Sequence, residues 1–359
     1  MTYSDEQKYW IWMASLPGIG AKTFYRLLKT YGSAADFFDA AAMGHTDAKG
    51  LPPELMKSAK AAASHARVSE LLAELAAKDI GVITRLDAEY PTRLAGIPWP
   101  PPVLFVKGKL PALDDAIGIV GTRACTRRGF EHARKIAAEL NMPVVSGMAR
   151  GIDTAAHLGA LDAKTPTVAV LGCGVDVIYP PENDALYHQI LETGAVISEL
   201  PPGTGPNAAN FPVRNRIIAG LSRGLFVVES DIKGGTAITA SLAVSFGRDV
   251  FAMPGSPFLA SSALPCELLV NGAYPVRDAV DIRAFYGAKT RGTTDITEAE
   301  LPPMDFFQQR IYELLQREDM SIEDIAAAVQ GAPGEVSAQL TMMELSGLCR
   351  RLPGGRFGV

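Results

Sequence analysis

GIVGTRACTRRG, Gly118–Gly129, is the stretch that decides the fold. An apolar run, Ile117–Val120, stops at Gly121, as a buried strand does before a turn whose backbone amides approach a phosphate. The turn carries Arg123, Arg127 and Arg128, and its spacing is not the GxGxxG of a dinucleotide site. Outward from it, from 116 to about 287, short apolar strands alternate with helical stretches. The strands are Ile117–Val120, Val144–Ser146, Thr167–Leu171, Ala195–Ser198, Leu225–Glu229 and Val250–Ala252. Helical stretches between them include Phe130–Leu140, Asp153–Ala163, Val213–Leu221 and Ala237–Phe246. The alternation predicts an α/β fold with a doubly wound, Rossmann-like parallel sheet and helices on both faces. Ligands of such sheets sit beyond the carboxyl ends of the strands, so the segments that follow the strands carry the functional information.

On either side the pattern changes. Residues 1–80 read as a helical domain, with helical spacing in Trp10–Leu16, Phe24–Leu28 and Val68–Leu75. Within it, SLPGIGAKTFYRLLKTYG puts a glycine turn (Gly18, Gly20) between two amphipathic helices, the pattern of a helix-hairpin-helix or SAM-like module. Such a turn grips a nucleic-acid backbone through its amides, and the same pattern also serves as an ordinary packing unit. Residues 81–287 make the sheet domain. Its first part, 81–115, reads as a connection: GIPWPPPVLFVKG cannot be helical and runs into an edge strand. Residues 288–304 form a polar, proline-containing linker. Residues 305–359 read as three helices and a two-stranded wing, a winged-helix domain. There Ser321 and Asp324 make a capping box, the third helix starts at Glu335, and the wing turns at Pro353-Gly354-Gly355.

The 359 residues are 48% hydrophobic and 20% charged, with a net charge of −5 and a pI near 5.6. Overall charge therefore repels nucleic acid, and anion binding needs a local patch. Four scattered cysteines (Cys125, Cys173, Cys266, Cys349) without a CxxC pair argue against a zinc site and a disulfide framework. No leader with a cleavage site is found, and no uncharged run reaches the ~18 residues that span a bilayer. The expectation is a soluble cytoplasmic protein.

The strand exits run GTRACTRRG, SGMARGID, GCGVDVIYPP, SELPPGTGPNAANFPVRNR, ESDIKGGTAITA and MPGSPF. Glycines admit a ligand to the backbone, and Thr122, Ser146, Ser198 and Ser230 add hydroxyls. Residues 117–283 hold 14 Lys and Arg against 15 Asp and Glu, yet six of the basic ones fall in three turns. These are Arg123, Arg127, Arg128, Arg150, Arg214 and Arg216, a focused positive pocket that suits a chain of phosphates. Each alone also reads as a solvated surface side chain. Asn207, Asn210 and Asn215 interleave amides with them. Phe211 reads equally as a ring that stacks a base and as a core residue before Pro212.

IVGTR, SGMARGIDTAAH, AVLGCGVDVIYPPEN, ISELPPG, FPVRNRIIAGLS, TAITASLA and GRDVFAMPG, in this order, resemble the DNA-processing protein A (DprA, also called Smf) family. The resemblance runs from about 103 to 285, and the flanking domains are similar to those of longer members. It implies a cytoplasmic protein that binds single-stranded DNA entering during natural transformation, protects it and loads the RecA recombinase onto it. It also implies a homodimer built through the sheet domain. No cofactor and no metal are expected. Carried over residue by residue, the DNA contacts fall on Gly121, Thr122 and Arg123, on Ser146, Gly147 and Arg150, and on Arg214, Asn215 and Arg216. The reading of the residues adds Phe211. The chain departs at Lys233-Gly234-Gly235-Thr236, where the family has a Ser-Gly-Ser-like run, and at Leu264-Pro265-Cys266, where it has Gly-Thr-Asn. No role is carried over for the loop before Leu268.

The rival is a nucleotide-processing enzyme on a similar sheet. Phosphoribohydrolases carry PGGxGTxxE, but in KGGTAIT the position of the acid is Thr239, which removes the main stabiliser of an oxocarbenium-like transition state. Asp153, His157 and Ser146 suggest a hydrolytic triad, yet SGMARG is not GxSxG. Asp153 reads better as a helix cap or a partner of Arg150, and His157 as a packed residue. No His is spaced to activate Cys125 or Cys173, no spacing makes Glu199, Glu229 and Asp231 a metal site, and no Walker A motif is present. The winged helix reads as a protein-contact or stabilising module. Residues 298–359 hold ten Asp and Glu against five Arg and no Lys, and the recognition-helix position offers only Gln339 to a base.

Overall fold

The computed structural model describes residues 3–45, 52–291 and 304–358, apart from 317, 330, 347, 353 and 354. The chain forms two compact units, Met1–Tyr286 and Gly287–Val359. The first begins with helices α1 (Asp5–Ala14), α2 (Ala21–Tyr31), α3 (Ala34–Ala42), α4 (Pro53–Ala62) and α5 (His65–Ala77). Side-chain caps set three of their starts: Ser4 makes a capping box with Gln7, and Ser33 and Ser64 accept amides of α3 and α5. Helix α2 starts from Gly20 with no side-chain cap. The turn before it needs the left-handed backbone of Gly18, φ 82°. These helices bury Trp10, Trp12, Phe24, Phe37 and Phe38 in one cluster that continues onto Val82, Val103 and Phe105.

Those last three residues belong to β1 (Gly81–Thr84) and β2 (Val103–Gly108), with the short α6 (Thr92–Ala95) between. The proline-dense segment thus ends in a strand that is not the edge: β2 pairs antiparallel with β1 and, on its other side, with a strand of the main sheet. The prolines Pro98, Pro100, Pro101 and Pro102 all precede β2, so its ladder keeps its donors.

Then follow β3 (Ile117–Val120), α7 (Arg127–Glu139), β4 (Val144–Ser146), α8 (Ile152–Asp162), β5 (Thr167–Val170), α9 (Asp184–Thr193), β6 (Ala195–Ser198) and α10 (Asn210–Leu221). After these come β7 (Gly224–Val227), α11 (Gly235–Ser245), β8 (Asp249–Ala252), α12 (Ala263–Val270), β9 (Tyr274–Pro275) and α13 (Ala279–Arg291). Helix α13 runs into the stretch expected as linker, and 292–303 lie outside the described residues. The nine-stranded sheet has the order β1-β2-β6-β5-β4-β3-β7-β8-β9, parallel from β6 to β9. The core strands were legible because they are buried on both faces and read as unbroken apolar runs. One face carries α10, α11 and α12 over Val145, Val170 and Leu225, and the other carries α7, α8 and α13 over Ile119, Phe226 and Phe251. From β3 the chain winds to β4, β5 and β6 on one side and then returns to β7 on the other. The switch point between β3 and β7 marks the end of the sheet where a ligand is expected.

The second unit holds α14 (Phe306–Leu315), β10 (Met320–Ser321), α15 (Ile322–Val329), α16 (Pro333–Leu345), β11 (Arg350–Leu352) and β12 (Arg356–Gly358). Its three-stranded sheet, β10-β12-β11, adds one strand to the expected wing, and Pro353 and Gly354 of the wing turn lie outside the described residues. Ser321 accepts the Asp324 amide at 3.2 Å and donates to its carboxylate at 2.8 Å, so the hydroxyl makes both bonds. Gln339 on α16 accepts from Gln308 at 2.9 Å, which engages the one side chain there suited to a base edge.

Candidate nucleic-acid interface

The turn after β3 is held from three sides. The Thr122 amide donates to the Glu229 carbonyl at 2.6 Å, and the Thr122 carbonyl accepts the Ile152 amide at the start of α8. Gly151 has φ 76°, and a Cβ there would lie 2.4 Å from the Thr122 carbonyl oxygen. The Glu229 carboxylate, 94% buried, accepts the Thr126 amide at 2.8 Å and the Thr126 hydroxyl at 2.7 Å. Thr126 in turn caps α7. A protein carboxylate therefore already occupies the positive end of α7, where a phosphate would sit in a nucleotide-binding turn. Arg127 and Arg128 point outward from that first turn; Arg127 pairs with Glu131 in solvent. What the turn presents is Arg123.

Arg123 is exposed, and among the described residues no carboxylate pairs with it. Its guanidinium lies over the Phe211 ring, 5.3 Å from the centroid. Phe211 stacks on Tyr179 on another side, at 5.6 Å and 29°, and rests against Gly172. The ring is half-buried: it packs on these partners and stays partly exposed. Helix α10, which carries it, has no side-chain cap, unlike α7, which Thr126 caps, and no acid in its first turn.

Three residues further on, Arg214 turns inward and is 5% exposed. Its Nη1 donates to the carbonyls of Gly147, at 2.6 Å, and Val170. A Cβ at position 147 would fall 2.4 Å from that nitrogen, so only glycine fits beneath the guanidinium. Asp153 is buried beside it. Burial pushes its carboxyl up and pulls Arg214 down to about 10, each shift opposed by the attraction between the two. Arg214 stays charged at neutral pH. Ser146 is wholly buried and donates to the Ile119 carbonyl at 2.6 Å.

Arg123, Arg150 and Arg214 thus line one cleft with Gly147, Phe211 and Tyr179. Its volume is about 20 Å³, against several hundred for a pocket that encloses a nucleotide-sized substrate. Arg150 at the rim pairs with Glu182, half in solvent, an ion pair whose exchange for a phosphate costs little. The other expected residues lie elsewhere. Asn215 donates to the Gly235 carbonyl at 3.3 Å. Arg216 pairs with Glu199 and donates to the Trp99 carbonyl at 3.0 Å. Gly121 packs against Ile152 behind the turn. Tyr179 and Glu182 were not singled out from the sequence; the only signal was their place in VDVIYPPEN.

His157 is wholly buried, with Nδ1 2.7 Å from the Thr167 hydroxyl. That hydroxyl donates to the Val144 carbonyl, so its lone pair accepts from Nδ1–H and the bare Nε2 has no partner among the described residues. Burial pulls the imidazole down to about 3. An unfolded chain takes up this proton near pH 6.5 and the folded one does not, so stability is lost as pH falls from there. By pH 5 the loss from this one group is about 2 kcal/mol. His157→Gln should lose less stability than the parent between pH 7 and 5 in urea unfolding; equal losses would disprove the assignment.

Burial also pushes the Cys173 thiol up to about 11, and Cys125 up, with Glu229 adding to the latter, so both stay protonated at neutral pH. Thr239 bonds the Gly235 carbonyl within α11. Among the described residues no three His, Cys, Asp or Glu gather as a metal site, and no helix is long and apolar enough to cross a membrane.

Comparison with known proteins matches residues 81–287 to the DNA recombination-mediator protein A family and 297–355 to the DprA winged helix domain. Protein Smf of Synechocystis sp. is 33% identical over 396 residues, covering 99% of both chains. DNA processing protein DprA of Streptococcus pneumoniae is 43% identical over 56% of this chain and 72% of its own. The X-ray structure of DprA from the same organism superposes with a TM-score of 0.67 at 34% identity, over 79% of this chain and 98% of that one. DNA processing protein A of Helicobacter pylori, described for its single-stranded DNA binding mode, gives a TM-score of 0.52 at 26% identity, over 59% and 96% of the chains. On the continuous match across the sheet domain, joined by the winged helix, the chain belongs to the DNA recombination-mediator protein A (DprA/Smf) family.

Proposed function

We propose that this chain binds single-stranded DNA in the cleft of Arg123, Arg150 and Arg214 beside Phe211, shields it, and passes it to RecA during natural transformation in the cytoplasm. The observation that carries the reading is the convergence of three guanidinium groups on one narrow cleft. Arg123 and Arg214 repel each other there, and Asp153 and Glu182 balance only part of the charge. An anion relieves that repulsion. Phosphates meet Arg123 and Arg150 at the rim and Arg214 below, while Phe211 offers a face to an unpaired base, which a duplex keeps inside. Gly121, Thr122, Ser146 and Gly147 support this arrangement from behind, and Asn215 and Arg216 anchor α10.

The chain acts as a homodimer through the sheet domain. Phe258 (94% exposed), Val270 (87% exposed) and Val280 are exposed apolar side chains, and the last two flank β9, the edge strand, in the chain. The proposed role is binding and delivery, without turnover.

Mobility shift with one sequence, single-stranded and duplex, at about 50 and 200 mM salt tests the binding. Three phosphate contacts give a salt slope of about −2, so single-strand affinity should fall about 20-fold over that range. Equal affinity for the duplex, or a flat salt response, would defeat the reading.

A further inference from the structure

A second patch lies on α2, outside the cleft. Lys22, Arg26 and Lys29 stand at i, i+4 and i+7 on one side of the helix, all exposed. Helix α2 has no acidic residue, and no ion pair to these three occurs among the described residues. On an acidic protein, three unpaired cations in a row are a local exception. They border an open depression of about 360 Å³ together with Thr23, Tyr25 and Trp99.

Trp99 is the second, independent feature. A large aromatic ring in the middle of a Pro-Trp-Pro run would ordinarily pack inward, but this one is 48% exposed. Its backbone has φ 53°, a left-handed conformation that costs a non-glycine residue about 1 kcal/mol or more. Pro98 and Pro100 flank it, and Arg216, itself paired with Glu199, holds its carbonyl. The Tyr25 ring backs it at 6.3 Å. Burial pushes the Tyr25 hydroxyl up while the charges of Arg85 and Arg216 pull the other way, so positive charge reaches the depression from behind as well. A fixed, half-exposed indole rimmed by cations is the arrangement that stacks a base while its phosphates are held.

Helix α10 joins the two places. Arg214 lies at the floor of the cleft and Arg216 at the Trp99 carbonyl, on opposite sides of the same helix, and Pro212 and Val213, just before Arg214 at its start, are exposed. We propose that a single strand bound in the arginine cleft continues over the start of α10 and onto α2, where Trp99 stacks a base and Lys22, Arg26 and Lys29 hold the phosphates. The proposal rests on the single-strand reading of the cleft and extends the site to the amino-terminal helices.

The test uses the full-length protein with a short oligonucleotide of about 5 residues and a long one of about 20, spanning the range of single-strand site sizes. The triple variant Lys22→Ala, Arg26→Ala, Lys29→Ala should bind the long strand about tenfold more weakly at low salt, with a slope reduced by about 2. Its affinity for the short strand should be unchanged. Alanine suits these exposed helical positions, so the fold should persist. Trp10 and Trp12 are buried, which makes Trp99 the exposed indole of the three. The long strand should therefore quench tryptophan fluorescence and the short one should not. Trp99→Ala should remove the quench and weaken long-strand binding, and Trp99→Phe should restore the binding. A triple variant that binds the long strand like the parent, or a quench that survives Trp99→Ala, overturns the extension. If short-strand binding still falls with Arg123→Ala in that case, the cleft reading stands without it. If Arg123→Ala leaves short-strand binding intact, the cleft reading fails instead.

Discussion

Arg214→Ala should be the most damaging single replacement at the site, costing about 3–5 kcal/mol of stability along with single-strand affinity. The guanidinium is buried, holds two carbonyls on neighbouring strand ends, Gly147 after β4 and Val170 on β5, and faces the buried Asp153. Removing it leaves a carboxylate in the interior with no cation and two carbonyls without a donor. Asp153 then avoids the charge by holding its proton. A carboxyl whose folded pKa is raised above the unfolded value favours the folded state at low pH and loses that benefit as pH rises through the folded value. The variant should therefore regain stability relative to the parent when pH is lowered from 8 towards 5.5. A double-mutant cycle gives the second check. Asp153→Asn in the Arg214→Ala background removes the orphaned charge, so the double variant should be more stable than Arg214→Ala alone. Urea unfolding of the four proteins measures both effects. Additive losses, with no pH response in Arg214→Ala, would mean that the pair is not coupled.

This burial was invisible in the sequence, and the reason is geometric. Listing strand exits groups Arg123, Arg150, Arg214 and Arg216 as one basic edge, but on α10 successive side chains differ by about 100°, so 214 and 216 diverge. One goes under the sheet ends, the other to Glu199 and Trp99. Glu229 lies 103 residues from the Thr126 that it holds, and no local pattern announces that pairing. Likewise β2 was readable as a strand but not as an inner one, since pairing with both β1 and β6 is a property of the fold and not of Val103–Gly108. What the sequence carried well was the parallel core, because its buried strands end sharply at Gly121, Gly147 and Gly172. The cleft follows from that core: Arg123, Arg150 and Arg214 sit beyond β3, after β4 and on α10, beside the switch point.

Arg123→Ala should separate binding from folding. The side chain is exposed, has no acidic partner among the described residues, and is in contact with Phe211 alone among aromatic rings. Its stacking on an accessible ring is worth about 0.5–1 kcal/mol, so the melting temperature should barely move. Its contribution to DNA is larger. The turn that carries it is fixed by Glu229 and by the start of α8, so little backbone entropy is lost when a phosphate arrives. A charge-assisted, bidentate contact is worth about 1.5–3 kcal/mol, or roughly 10- to 150-fold in affinity. The salt slope should drop by about 0.7, the value for one phosphate on a single strand, and every sequence should be weakened alike because the backbone carries no base information. Arg123→Lys should recover only part of the affinity, since an ammonium restores the charge but neither the fork nor the guanidinium over Phe211. Arg127→Ala and Arg128→Ala should lose less, because the end of α7 beside them is already filled by the Glu229 carboxylate. The decisive comparison is Arg123→Ala against Arg127→Ala on one oligonucleotide at two salt concentrations. Equal affinities, or a parental slope in Arg123→Ala, would place the phosphates somewhere other than the turn after β3.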